Sequence, residues 1–543
     1  SFDALGRQSG QTDAAGFVQG YGYDPNGNRT SLNLVGTGLF TFAFDSLNRL
    51  ATAQKPGNAL YTMMYDADSR RTTMMLGNGS KRLYDYDMRS QLTTQVELNS
   101  SNVPIVTLID SYDPVGNRIT RSVNGTVATW SYDNLYRLTG QVKPGQVATY
   151  TLDGVGNLKT MWEGGSFPKT FTHDPADRLV TMIEGVKVTT YSYTGYGALE
   201  IEQTPTGFAT HTYSGQDQLV GSVSGSGLTV SRSTYTFGGD GLRRTAQNGN
   251  VQPTTMVWDG ADYLLLNGPS ENQVVLTLGS EIVSCGDFDL LPDSLGSVIG
   301  DTRAGFDPRL LYEYWPYGMM SASVIRAMLP FLYVGSLGYY NDSADRDYVR
   351  ARELMKKNGR WMQTDPLWPA EAPYRYVGCS PLAHIDPSGL KCQAPNPCSD
   401  LKGAQGACIA LLCSFKTVDD MIKYLKKAIN IDPKDFQGIE KLVRSLWGKK
   451  FSPEECCKKA TGAPGFGSME WLIKLLCTNS WFWGEEPAWS ACAKKHPGGV
   501  GFGGDEEENA KCHACCFQQF PEDGPFDRLR GLCQKACDGV GLP

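Results

Sequence analysis

Two aspartates, each followed by proline, stand close to a sharp change in composition. Asp365 lies in "TDPLWP" and Asp386 in "HIDPSGLKC", the stretch from His384 to Cys392. Two carboxylates brought together can activate water against a peptide bond. Like charges at short range push their pKa values apart, which supplies an acid and a base at once. By local chemistry alone both Asp-Pro pairs are turns, with Asp as a cap and Pro fixing φ. His384, two residues before Asp386, is assigned no role, because a lone histidine is more often a surface or core residue than a catalytic one.

Cysteine usage changes at the same point. Of the 15 cysteines, Cys285 and Cys379 precede Leu390 and 13 follow it. That density implies disulfides and an oxidising compartment. Cys512 and Cys516 are spaced i, i+4 on one predicted helix, and Cys533 and Cys537 repeat the spacing on another. Two antiparallel helices so marked predict the bridges Cys512–Cys537 and Cys516–Cys533. The odd count leaves at least one thiol free or paired elsewhere, with Cys379 a candidate. Cys512, His513, Cys515 and Cys516 offer an alternative zinc set. A second Cys-x2-Cys pair is missing, so disulfides are favoured, and no metal or other cofactor is expected. The segment from Gly498 to Ala510 is Gly-rich but lacks the Lys-Ser/Thr of a phosphate loop. It reads as an acidic loop.

The elements that must position these residues come in two kinds. Up to about residue 390 the chain is repetitive. Aromatic-Asp pairs recur every 21 residues at Phe2-Asp3, Tyr23-Asp24, Phe44-Asp45, Tyr65-Asp66 and Tyr86-Asp87, and resume at Tyr112-Asp113 and Tyr132-Asp133. Several continue as in "YDPNGNRTSL" or "YDNLYRLTG", which is turn chemistry: Asp bonds to backbone two residues on, and Gly accepts positive φ. Apolar residues alternating with Thr and other polar residues follow each turn, the pattern of short strands. Stacked units of this kind predict a continuous antiparallel sheet. A carboxylate that recurs in every unit is architecture. After Lys391 the period-2 pattern gives way to helical patterns, as in "TVDDMIKYLKKAI" with its capping-box-like start at Thr417.

The repeats resemble the YD repeats of the Rhs family, shared with the C components of insecticidal toxin complexes and with teneurins. "PDSLGSVIGDT", "YEYWPYG", "GYYNDSADRDYVRARELMKKNGRWMQTDPL" and "YRYVGCSPLAHIDPSGL" closely follow that family's repeat-associated core, and the resemblance covers about residues 1–390. It implies a mainly β fold, an antiparallel sheet wound into a spiral hollow shell or barrel, followed by a small α-helical cysteine-rich domain. The expected domains are a shell over 1–270, the core and C-terminal plug over 271–390, and a variable domain over 391–543. In shell-forming toxins the end of the core is an aspartyl self-protease that cuts after the Leu of Asp-Pro-x-Gly-Leu. The resemblance therefore implies Asp365 and Asp386 as the carboxyl pair, Arg375 as an orienting or charge-balancing residue, and Leu390–Lys391 as the scissile bond. The first motif departs from the family in having Leu-Trp-Pro where Ile-Gly-Leu is usual.

Two functions of different class are implied. One is a secreted polymorphic toxin whose shell encloses the C-terminal domain as cargo and releases it to a target cell through a delivery apparatus. The other is an extracellular structural or adhesion protein, teneurin-like, acting at a neighbouring cell surface without toxin activity. About 390 residues of shell are few to enclose a 153-residue domain. The first residues already look like the middle of a repeat, so upstream sequence is expected to be missing. A net charge of −7 does not suggest nucleic-acid binding. No apolar run approaches the length of a membrane-spanning helix. Secretion or cell-surface display is the expected location.

Overall fold

The computed structural model describes residues 1–391 except Ala14, Ser270, 324–328, Ala370 and Glu371. Two compact units divide the chain, and the sheet and the carboxylates lie in the first, Ser1–Tyr86 with Leu92–Pro395. The expected helical domain, with Cys512, Cys516, Cys533 and Cys537, falls outside the described residues.

Thirty strands, from Gly10–Thr12 to Phe306–Leu310, form one antiparallel sheet in which each strand pairs with the next along the chain. Side chains alternate as the sequence predicts. In Gln146–Leu152, Ala148 and Tyr150 are buried, while Val147, Thr149 and Thr151 face out.

The repeated Asp clasps its own turn. Asp133 Oδ1 accepts the backbone N–H groups of Leu135 at 2.9 Å and Arg137 at 3.0 Å, and its Oδ2 accepts Arg137 Nε at 2.7 Å. Arg137 Nη1 then donates to the carbonyl of Asp153 in the next turn at 2.9 Å. The aromatic partner stitches in the other direction, since Tyr132 OH donates to Arg118 O at 2.8 Å. One turn position has positive φ, 60° at Tyr136 and 95° at Gly156. That explains the glycine of the Asp-x-x-Gly-Asn units.

The sheet winds back over itself. Gln19 Nε2 donates to Trp258 O at 2.9 Å, Arg29 pairs with Asp259 at 2.6 Å, and Arg82 Nη2 donates to Leu290 O at 2.6 Å. Leu32, Phe40, Tyr61 and Met74 of the early strands pack on Val257, Leu264 and Leu276. Neighbouring residues of the same later strands, Met256, Trp258, Tyr263 and Val275, pack on Phe331 and Tyr348. These strands are covered on both faces. Asp262–Asn267 and Phe288–Pro292 accordingly bury consecutive residues rather than alternate ones.

Residues 329–391 form a compact insert around a four-stranded antiparallel sheet of Tyr340–Ser343, Arg346–Val349, Arg352–Met355 and Arg360–Trp361. Trp361, Met362, Tyr376 and Ile385 pack against Tyr150, Phe171 and Leu199 of the long sheet. A buried ionic clasp adds to this contact. Arg243, on the long sheet, reaches Asp342 at 2.6 Å and Glu353 at 2.9 Å. Charges so deeply buried persist only when paired.

Candidate functional site

The hairpin between Arg346–Val349 and Arg352–Met355 closes through Val349↔Arg352. Arg350, at its tip, adopts positive φ of 48°. Arg350 Nη1 donates to Pro387 O at 2.5 Å and to Leu337 O at 3.1 Å, which fixes the Asp386-Pro387-Ser388-Gly389 turn over the hairpin. The turn closes with Gly389 N–H on Asp386 O at 3.2 Å. Gly389 has φ of 69°, and a Cβ there would lie 2.2 Å from Val349 O. Only glycine permits so close an approach.

Asp365 and Asp386 come together on one guanidinium. Arg352 Nη1 reaches Asp365 Oδ2 at 2.6 Å, and Arg352 Nη2 reaches Asp386 Oδ2 at 3.1 Å. Arg352 Nε also donates to Gly389 O. The aspartates are 6% and 2% exposed, so the guanidinium joins two buried carboxylates. Its plane is backed by the Trp361 ring, 4.2 Å from the guanidinium carbon to the ring centroid.

The second oxygen of each carboxylate is also engaged. Asp365 Oδ1 accepts Leu367 N–H at 2.8 Å. Asp386 Oδ1 accepts Ser388 Oγ at 3.0 Å, Leu390 N–H at 3.1 Å and Lys391 N–H at 3.0 Å. Both aspartates thus do the turn work of the repeats. Asp386 in addition lies against the nitrogen of the Leu390–Lys391 peptide. Leu390 itself is 39% exposed, so this peptide emerges from a buried site toward solvent. The backbone of Asp386 is held by Tyr339, whose hydroxyl donates to Asp386 O at 3.0 Å and accepts Asp386 N–H at 3.2 Å.

Arg375, expected beside the aspartates, stands elsewhere. Its Nη1 donates to Val155 O at 3.1 Å, on a turn of the long sheet. The strand geometry gives the bridging position to Arg352 instead. Nothing local in the sequence distinguishes Arg352 from Arg350, although both belong to the "YVRARE" signature. His384 is half-buried, and burial lowers its pKa from the ordinary value. Among the described residues the cysteines, Cys285 and Cys379, are buried free thiols. Burial pushes the Cys379 thiol up to about 11, and its Sγ donates to Gly156 O at 3.0 Å.

Comparison with known proteins supports the repeat and the fold. Residues 2–38 match the family model described as RHS Repeat. Salivary gland surface protein 1 of Aedes aegypti is 36% identical over 86 residues, covering 14% of this chain and 2% of that protein. A crystal structure of TcdB2-TccC3 superposes with a TM-score of 0.53 at 15% identity, over 72% of this chain and 24% of that one. TcdB2-TccC3-Cdc42 gives a TM-score of 0.51 at 17% identity, over 69% of this chain and 22% of that one. The Tc holotoxin pore of Photorhabdus luminescens gives a TM-score of 0.52 at 16% identity, over 69% of this chain and 21% of that one. This chain therefore spans less than a quarter of the structures whose fold it shares. In its repeats and in its fold, the chain resembles the Rhs/YD-repeat family.

Proposed function

We propose that this Rhs/YD-repeat shell protein cuts its own chain after Leu390 and so separates residues 391–543 from the scaffold. One observation carries the reading: Arg352 gathers Asp365 and Asp386 while Asp386 Oδ1 lies on the nitrogen of the Leu390–Lys391 peptide. In the reaction one carboxyl of the Asp365–Asp386 pair, as base, takes a proton from the water that attacks the Leu390 carbonyl, and the other, as acid, gives a proton to Lys391 N as the C–N bond breaks. Arg352 is a positioning residue that holds both carboxyls and Gly389 O. Asp386→Asn keeps the turn and removes one carboxyl of the pair. Denaturing, reducing intact mass of wild type is expected to give two fragments divided at Leu390–Lys391, and the variant a single chain. A single 59.4 kDa chain from wild type would leave both aspartates as turn residues.

The proposed domains are the shell over 1–270, the core and plug over 271–390, and the separate domain over 391–543. The last is the shell's cargo in a secreted, toxin-like assembly with a delivery partner. The fold shared with TcdB2-TccC3 supports that reading. A second reading, an extracellular structural or adhesion protein, is favoured by the match to a salivary gland surface protein. Proteolysis separates the two. An enclosed domain is spared until the shell opens, whereas a displayed one is digested while the shell stays intact.

A further inference from the structure

The inward positions of neighbouring repeats are apolar pairs: Tyr150 opposite Met161 and Phe171 opposite Met182. Two repeats on, the same register holds His211 opposite Ser222, and the pair between them is Tyr191 opposite Glu202. Glu202, His211 and Ser222 thus place three buried polar residues side by side on this face, as Asp110 and Arg121 do in an earlier repeat.

The three are connected. Ser222 Oγ lies 3.1 Å from His211 Nδ1, and His211 Nε2 faces Glu202 Oε1 at 3.5 Å without a hydrogen bond between them. Arg346 Nη1 donates to Ser222 Oγ at 3.2 Å. With the imidazole proton on Nε2, the serine hydroxyl donates to His211 Nδ1. Lys357 holds the other Glu202 oxygen at 2.6 Å and fixes the carboxylate. Burial lowers the His211 pKa and favours the neutral imidazole a base requires, although Glu202 opposes the shift. The same residues line a cavity of about 580 Å³ together with Asp345, a size that suits a small ligand.

We propose that Ser222, His211 and Glu202 form a nucleophilic relay, and that a small carboxylic ester entering this cavity acylates Ser222. Ser222 Oγ bonds to the ester carbonyl carbon while its proton passes to His211 Nδ1. The ester C–O bond breaks, and the leaving alcohol takes that proton. Water then attacks the acyl-serine, giving its proton through His211 back to Ser222 and releasing the acid. Glu202 steadies the imidazolium in each half. Arg346 supplies positive charge beside the tetrahedral oxyanion.

The test is to treat the full chain with an alkyl fluorophosphonate, in which serine oxygen displaces fluoride from phosphorus. Intact mass and peptide mapping are expected to show one adduct, on Ser222, formed at least 10-fold more slowly in His211→Gln and absent in Ser222→Ala. Mapping on wild type needs no variant to fold. A natively folded wild-type chain with no adduct, or with the adduct on another residue, would overturn the relay and leave these residues a clasp between sheet and insert.

Discussion

Lys391 donates its backbone N–H to Asp386 Oδ1 at 3.0 Å, so the first residue beyond the Asp-Pro-Ser-Gly-Leu turn is tied to a carboxylate that is 2% exposed. The tie exists because Gly389 lets the turn lie directly on the Val349–Arg352 hairpin, and because Arg352 fixes the other oxygen of the same carboxylate. Fold and proposed chemistry therefore depend on the same few contacts.

Arg352→Lys should separate charge from geometry. A lysine keeps the positive charge but cannot reach Asp365, Asp386 and Gly389 O in one plane. Cleavage at Leu390 is expected to slow at least ~10-fold with the fold retained. Arg352→Ala should go further, leaving two buried carboxylates unpaired at a cost of about 3–5 kcal/mol. A time course of intact mass reads the first effect and urea unfolding the second. Wild-type cleavage in the Lys variant would remove Arg352 from the reaction.

Gly389→Ala should displace the scissile peptide. The added Cβ meets Val349 O at 2.2 Å, and both atoms of this clash belong to the hairpin-turn contact rather than to a flexible side-chain end. The Leu390–Lys391 peptide is expected to move off Asp386, abolishing cleavage and lowering stability by about 1–3 kcal/mol. In an uncleaved Asp365→Asn background, hydrogen exchange at the Lys391 amide should rise when Gly389→Ala is added. Unchanged protection there would mean that Asp386 does not hold the peptide in solution.

The repeats and the carboxylates were legible because their signals are local. An aromatic-Asp pair followed by Gly or Arg at fixed offsets specifies its own turn, and strand alternation follows from the buried face. Asp365 and Asp386 are marked by their prolines. Arg352 was not legible as the bridging group. Its position depends on a hairpin register and on a turn 37 residues away, neither of which has a local signature, so Arg375 was the nearer choice. The Arg243 clasp was hidden for the same reason, since its acidic partners lie 99 and 110 residues along the chain. The polar cluster of Glu202, His211 and Ser222 was hidden too, since its members meet only through strand pairing and buried polar pairs such as Asp110 and Arg121 occupy the same register elsewhere.

Asp133→Ala should report what one clasp contributes. Burial opposes ionisation of Asp133, but the Arg137 side chain and the turn amides outweigh it and hold the carboxyl below its ordinary 3.8. A depressed carboxyl adds stability above the unfolded value that is lost as pH falls through the folded one. The variant is expected to lose about 1–2 kcal/mol at pH 7 and to converge on wild type as the pH is taken below 3.8. Urea midpoints at several pH values check this. A gap that does not narrow in acid would mean that the clasp acts through packing rather than charge.

Glu163 should give the opposite pH dependence. It ends the strand Leu158–Glu163 and accepts Tyr150 OH at 2.9 Å. Burial pushes its carboxyl from 4.5 to about 7, against the opposing pull of Lys169 and the Tyr150 hydrogen bond. A raised carboxyl contributes stability that is fully present below the unfolded value and lost as pH rises through the folded one. The window here is from 4.5 to about 7. Glu163→Gln keeps the hydrogen bond and removes the titration. Its stability relative to wild type is therefore expected to grow across that window, reaching a gain of about 3 kcal/mol above it. Equal differences between the two proteins at pH 5 and pH 8 would show that Glu163 does not titrate in that interval.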